Sequence, residues 1–450
     1  MRTKRLIAIL VLLALAVPAS PAHAGGVVSV CDEAHLLAAL AGGGTVTFSC
    51  SGTITLTAEI SIAADTTIDG SGQAVTISGN HTVRVFIVNL GRTLNLYRLT
   101  IANGFILSGD GGGIYNGGRL TVSSNNFFGN SASSGGGIFN GGALTVTNST
   151  FSANSASSGG GIYNNYDSVM TVSNSIFSDN SATHAGGISN YDGTVEVSNS
   201  TFFGNRANSG GGISNHDGTM QVVNSTFSGN IAIDGYGGGI SNYDGTTEVN
   251  NSTFSGNIAI YYGGGISNNH GTMTVSNSTF SDNRAIFLGG GIYNIHYGMV
   301  TLKNTIVANS PTGGNCSIDV PVIDGGGNLS YPDNSCPGIY GNPSLGPLLN
   351  NGGPTETMAL GPGSAALDAG IDAICAAPPV NSLDQRGVVR PQGLHCDIGA
   401  VEQILEPAAV SLTTLSSESA PATIPPIIVF GLLLVALMSF GVRRRQHHTI

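Results

Sequence analysis

Tryptophan is absent, and lysine occurs only at Lys4 and Lys303. Charged residues make up 9% of the chain, and its formal charge is −11. A chain so poor in positive charge has no basic footprint, which excludes nucleic acid as a partner. No Gly-X-Y period accompanies the 67 glycines, which excludes collagen. No CxxC or His/Cys cluster occurs, so a zinc site of the usual spacing is excluded. Helical spacing is missing from nearly the whole chain. Hydrophobic residues nevertheless reach 41%, enough for a core.

Long apolar runs lie only at the two ends. Arg2, Lys4 and Arg5 precede an apolar run over 6–17 and the small-residue site Ala22-His23-Ala24. That pattern predicts a secretory signal peptide over 1–24. A second run covers 424–442 and is followed by Arg443, Arg444 and Arg445. Its length suits one transmembrane span, with a basic cytoplasmic tail over 443–450. Residues 403–423 have the Ser, Pro, Ala and Thr content of a linker. The expectation is an exported protein at the cell surface, anchored in the membrane by a single C-terminal span.

Six cysteines in an exported chain point to three disulfides. Each local pair brackets its own segment, so Cys31–Cys50, Cys316–Cys336 and Cys375–Cys396 are favoured. Each closed loop would add about 3 kcal/mol on the chain-entropy model.

What fills the middle is one phrase, repeated. "GGGISNYDGTTEVNNSTFSGN" covers 237–257, and close copies run over 111–309. Isoleucines recur every 24 to 27 residues, from Ile114 to Ile292. Two positions after each comes an asparagine: Asn140, Asn164, Asn190, Asn215, Asn242 and Asn268 among them. Farther on comes a large apolar residue: Phe151, Phe177, Phe202, Phe227, Phe254 and Phe280. Three positions beyond each phenylalanine stands a second asparagine, such as Asn230. Self-similarity at a fixed period marks a repeat architecture.

Within each copy, "LTV" or "VEV" and "STFSGN" alternate apolar and polar residues, the signature of half-buried strands. "GGGISN" adds a third short strand, and the glycine and Asp-Gly steps supply turns. Three strands per coil, stacked coil on coil, predict an all-β fold. It is a right-handed parallel β-helix over 45–310, in which like residues stack on like. The poorer alternation over 45–103 reads as degenerate early coils. The stretch "CDEAHLLAALAGGG", within a cap over 25–44, is the one helix-like segment, with Leu36, Leu37 and Leu40 on one side.

The paired "GGGI" and "FxxN" signatures resemble the repeats of chlamydial polymorphic outer-membrane proteins, which are β-helical adhesins. The chain departs from that family at its end, with an apolar span in place of a β-barrel translocator. The segment "GPLLNNGGPTETMALGPGSAALDAG", with "DQRGVVRPQG" and "CDIGAVE", resembles the choice-of-anchor domain (Q-type) of bacterial exported proteins. It falls within 311–402, read as the end of the β-helix and its closing domain. Asp384, Gln385, Arg386, Gly387, Arg390, Pro391, Cys396, Asp397, Gly399 and Glu402 stand on its motif. The resemblance implies surface display. Arg386 and Arg390 beside Asp384, Asp397 and Glu402 read as ion pairs and turn contacts closing the helix end, with a catalytic constellation as the alternative.

Two function classes follow. One is a non-enzymatic scaffold for adhesion to glycans or other surface proteins. The other is a polysaccharide lyase or hydrolase on the same fold, which needs paired carboxylates at a set distance or an acidic calcium cluster. Asp192, Asp217 and Asp244 align, but each precedes glycine, which suits Asx-turns. A calcium ion would relieve repulsion in that column, yet the GGxGxD nonapeptide is absent. No catalytic residue and no cofactor is therefore expected. His184, His216, His270 and His296 read as solvated residues of the same turn region. The recurring "NST" triplets match the glycosylation sequon but fall in register with the phenylalanines, as ladder positions do. Their outward row, Thr150, Thr201, Thr226, Thr253 and Thr279, keeps no Thr-x-Thr pair, which argues against ice binding.

Overall fold

A computed structural model describes residues 25–317 and 319–404. The expected signal peptide, span and basic tail, and the linker beyond residue 404, lie outside the described residues. Among the described residues no helix is long and apolar enough to cross a membrane.

The strands form a parallel β-helix. Two sheets of 13 strands and one of 10 run along it, and every pairing within them is parallel. The register repeats without a slip through the regular coils. Ile188 faces Ile213, and Ile213 faces Ile240. Val197 faces Val222, and Phe202 faces Phe227. A one-residue slip would turn each apolar set outward, so the burial pattern itself fixes the register.

A fourth sheet of seven short strands is the first departure from the three-strand reading. It begins at Ser131–Ser134 and ends at Arg284–Ala285. Its sequence, "SASS" in the early coils, has low strand propensity and reads as a turn. The coil above supplies a template of unpaired backbone groups, and pairing with it overrides propensity.

Ladders fill the core. From Phe127 to Phe280, stacked rings sit 4.5–4.8 Å apart, and each is fully buried. Offset stacking adds to the area each ring buries. The asparagine two positions after each isoleucine is buried as well. Nδ2 of Asn140 donates to Oδ1 of Asn164 at 2.7 Å, and the chain of amides continues through Asn190, Asn215, Asn242 and Asn268. A second amide ladder, which includes Asn205, Asn230 and Asn257, ties each turn to the next. The serine of each "NST" is buried too, its Oγ accepting the backbone N–H of the equivalent residue one coil earlier, as Ser225 does from Ser200 and Ser149 from Asn125. The glycine triplets are required where they stand. Gly237 has φ +70°, and a Cβ on Gly239 would sit 2.6 Å from Gly265 O.

All three disulfides join the expected neighbours: Cys31–Cys50, Cys316–Cys336 and Cys375–Cys396. Helix α1, Glu33–Leu40, is capped by Asp32, whose side chain accepts the N–H of His35. Leu36 is buried and Leu40 packs on the core, whereas Leu37 is 46% exposed. Leu36 and Leu40 share the core-facing side, but Leu37 does not, because it follows Leu36 by one position and points away from it.

The C-terminal segment also differs from expectation. Short strands over 323–340 do extend the end of the β-helix, pairing in parallel on its last coil, but the rest does not close it. After a two-stranded antiparallel hairpin, Leu345–Leu349 with Thr357–Leu360, and the short helix α2, Asp372–Ala376, it lies along the flank of the late coils. A small second core of Ile306, Ala308, Leu329, Leu360, Ala366 and Ile398 joins it to the outer side of the sheet.

Candidate functional site

The five charged residues of the C-terminal motif do gather, but around backbone. Asp384 is fully buried; one carboxylate oxygen accepts the N–H of Arg386 and Val388, and the other that of Glu402 and the Arg386 guanidinium at 2.8 Å. Arg390 donates to the carbonyls of Asp397 and Gly399. Asp397 accepts the N–H of Asp368 and Gln403, and Glu402 accepts that of Gln392 and Asp397. Burial pushes the carboxyl groups of Asp397 and Glu402 above the ordinary carboxylate range and the Arg390 guanidinium below its own. These carboxylates already hold backbone donors of their own segment, so the cluster is an internal brace for the flank segment.

Gln385, between two of those residues, makes the contact with the coils. Its Oε1 accepts from Thr253 Oγ1 at 2.7 Å, and its Nε2 donates to Thr226 and Thr355 at 2.9 Å. Thr226 also donates to Glu356 O, and Thr279 accepts the N–H of Ala400. The outward threonine row is therefore solvent-facing only in part: Thr226, Thr253 and Thr279 are buried beneath the flank segment. Thr226→Val should cost about 1–3 kcal/mol, since it strands buried partners. Thr201→Val, one coil earlier and uncovered, should cost under about 0.5 kcal/mol. Paired urea melts measure the difference.

Asp192, Asp217 and Asp244 occupy equivalent turns with φ of 54–57°. Their carboxylates accept no backbone hydrogen bond in their own turns, so the Asx-turn role is corrected. The turn needs a residue that tolerates the left-handed region, and each Asp N–H donates to the carbonyl one coil on, as Asp217 does to Tyr243. Asp217→Asn should keep the melting temperature within a few degrees, and calcium should shift it little; calorimetry with and without calcium checks both. His216 stacks between Tyr191 and Tyr243, and His270 stacks on His296 at 4.5 Å. His184 lies instead at the end of a strand of the fourth sheet, which corrects its grouping with the other three. Among the described residues, no three His, Cys, Asp or Glu side chains gather to hold a metal ion.

A different acidic row was missed. Glu196, Gln221 and Glu248 face one another across successive coils on the outer side of the first sheet. Gln221 Nε2 donates to Glu248 Oε2 at 3.2 Å. Beside them, a groove of about 250 Å³ lies between that sheet and α2, lined by Glu248, Thr274, Lys303 and Ile374 among others. The two carboxylates are two coils apart, roughly 9.6 Å along the axis. That backbone spacing lies just beyond the range of about 6.5–9.5 Å between the carboxyl groups of an inverting pair.

Residues 58–227 match the family model of the right-handed β-helix region. No curated protein matches the chain. The β-helix match covers the earlier coils and ends at Phe227, in the first coil that the flank segment touches. On the β-helix, the signal for the acidic row was available in sequence. "VEV", "MQV" and "TEV" replace the Thr of "LTV" and "MTV" in three consecutive coils. The groove around Lys303 was not available, because α2 is distant in sequence from the coils it walls.

Proposed function

We propose that the protein is a non-enzymatic display scaffold that presents a long repetitive face for adhesion at the cell surface. The supporting observation is the repetition of small polar side chains in register on outer faces. Thr121, Thr145 and Thr171 form one such row on the first sheet. A face of this kind offers the same hydroxyl and amide groups at every coil, about 4.8 Å apart, to an extended ligand such as a glycan or a surface protein. The resemblances of the repeats to polymorphic outer-membrane proteins and of the C-terminal segment to the choice-of-anchor domain support display. So does the apolar run over 424–442 as a membrane anchor.

Glu196 and Glu248 favour the second reading, a polysaccharide-cleaving enzyme. A general acid needs an environment that keeps it protonated near neutral pH. Both glutamates are solvent-exposed, Glu248 at the side of the groove, which suits a binding surface better. A glycan array combined with a depolymerisation screen on acidic and neutral polysaccharides separates the readings. Binding without cleavage is expected. Cleavage abolished by Glu248→Gln would establish the enzyme instead.

A further inference from the structure

The outer face of the fourth sheet changes character along its length. Its early coils read "SASS" or "SATH", and Ser131, Ser155 and Ser181 stand in register on the outside. Three late coils read "IAIDGY", "IAIYY" and "RAIFL" instead. Ala232, Ala259 and Ala285 are buried against the core, so their neighbours on either side face outward. Ile231 and Ile258 pair in register, with Arg206 and Arg284 at the two ends of their row. Ile286 is 64% exposed and Phe287 54%, and the Phe287 ring stacks on exposed Tyr261 at 5.7 Å. Contiguous exposed apolar side chains of this kind mark a contact surface.

Three features favour a bilayer as the partner. The first is place. Thr226, Thr253 and Thr279, which hold the flank segment, belong to the same three coils as the patch. The described chain ends in that segment, where Asp384 holds the N–H of Glu402, and the apolar run follows from residue 424. The roughly 20 residues between reach at most about 70 Å, so a span there tethers the β-helix by its late coils. The second is composition. Isoleucines with aromatic rings, rimmed by arginines that can bury their stems, suit the membrane interface. Asp234 is also exposed on the first of these coils, so the charges are of both signs and no anionic lipid is required. The third is size. Three coils tall and about three residues wide, the patch covers roughly 200 Å², well short of the about 800 Å² per partner in a stable protein interface. A contact this small is effective where an anchor keeps the local concentration high.

We infer that the late-coil face of the fourth sheet rests on the bilayer surface, with Ile286 and Phe287 dipping below the headgroups. The serine-rich early coils then stay in water as the displayed half. The inference rests on the reading of 424–442 as a membrane anchor and gives the display scaffold an orientation.

Because the chain has no tryptophan, one substitution supplies a unique fluorophore. Phe287→Trp and, separately, Phe128→Trp, at an exposed site on an early coil, are made in the full-length protein. Each is reconstituted into phosphatidylcholine vesicles with and without bromine on the acyl chains, which quenches indole on contact. Emission of the Phe287→Trp protein should shift to the blue and be quenched by the brominated lipid, and that of Phe128→Trp should not. Adding Ile286→Asp, at an exposed position, should cut the quenching at least about threefold. Absence of quenching in Phe287→Trp, equal quenching of both proteins, or indifference to Ile286→Asp would overturn the contact. A blue shift without quenching that fades as the protein is diluted in lipid would overturn it too and assign the face to a second copy. An alkaline wash separates the two readings. Protein that washes off the vesicles removes the anchor and the contact with it, whereas protein retained without quenching leaves the anchor and the display scaffold standing.

Discussion

Phe227→Ala is expected to destabilise the β-helix by about 3–5 kcal/mol, the usual cost of deleting a buried aromatic ring. Phe227 is fully buried, with Phe202 and Phe254 each 4.7 Å away between ring centroids. Removing it opens a cavity between two rings that cannot collapse, since each is also held by its neighbour one coil farther on. The loss is therefore shared by three coils. Stability in a solenoid is a sum of coil and interface terms, so the defect should also lower the free energy of local opening on both sides. Chemical denaturation gives the total, and hydrogen exchange of the backbone amides gives its spread. A cost under about 0.5 kcal/mol, the size expected at a surface position, would mean that the faces of this strand are inverted.

Asn230→Leu is the second large effect. Oδ1 of Asn230 accepts from both the backbone N–H and the Nδ2 of Asn205, and its Nδ2 donates to Phe202 O and Asn257 Oδ1. Leucine is close in volume but leaves the Asn205 N–H buried without a partner and takes from Phe202 O and Asn257 Oδ1 one donor each. The stranded N–H costs about 1–3 kcal/mol, and the lost amide bonds add to it, so a total of at least about 2 kcal/mol is expected. Asn230→Asp sharpens the test. The aspartate keeps the acceptor but turns the donor into an oxygen facing two other oxygens. Burial and these neighbours raise its folded-state pKa above the unfolded value near 4. Its folded form then binds the extra proton, so this variant should regain stability as pH falls toward that value and lose it as pH rises. A variant as stable as wild type at neutral pH would show that the inner amides are not a ladder in solution.

The coils were legible because each buried position is the same residue in every turn. Phenylalanine on phenylalanine and asparagine on asparagine write the register into the spacing, and the strand pairs follow it. The local disulfides were legible for the same reason, since each pair brackets its own segment. The fourth sheet was not legible, because Ser and Ala become strands only when a neighbouring coil offers its edge. The covering of Thr226, Thr253 and Thr279 was equally hidden. Nothing in "NSTF" distinguishes a covered coil from an open one, and the decision lies with Gln385, more than a hundred residues away. Asp217 was placed in the right turn for an incomplete reason. Its left-handed backbone, not a hydrogen bond to its carboxylate, selects it.

The claim at the centre is that the repeated phrase builds a shape by stacking on copies of itself. Deleting residues 188–212 tests it most directly. The cut joins Gly187 to Ile213, and because Ile188 and Ile213 are partners in register, it removes one whole coil upstream of the flank segment. Stacking predicts a protein shorter by about 4.8 Å, with unchanged circular dichroism per residue and a cooperative melt near that of the parent. Deleting residues 188–199 alone throws Phe202 out of its stack and should abolish the cooperative melt. Loss of cooperative melting in the whole-coil deletion, to the same extent as in the partial one, would contradict the claim.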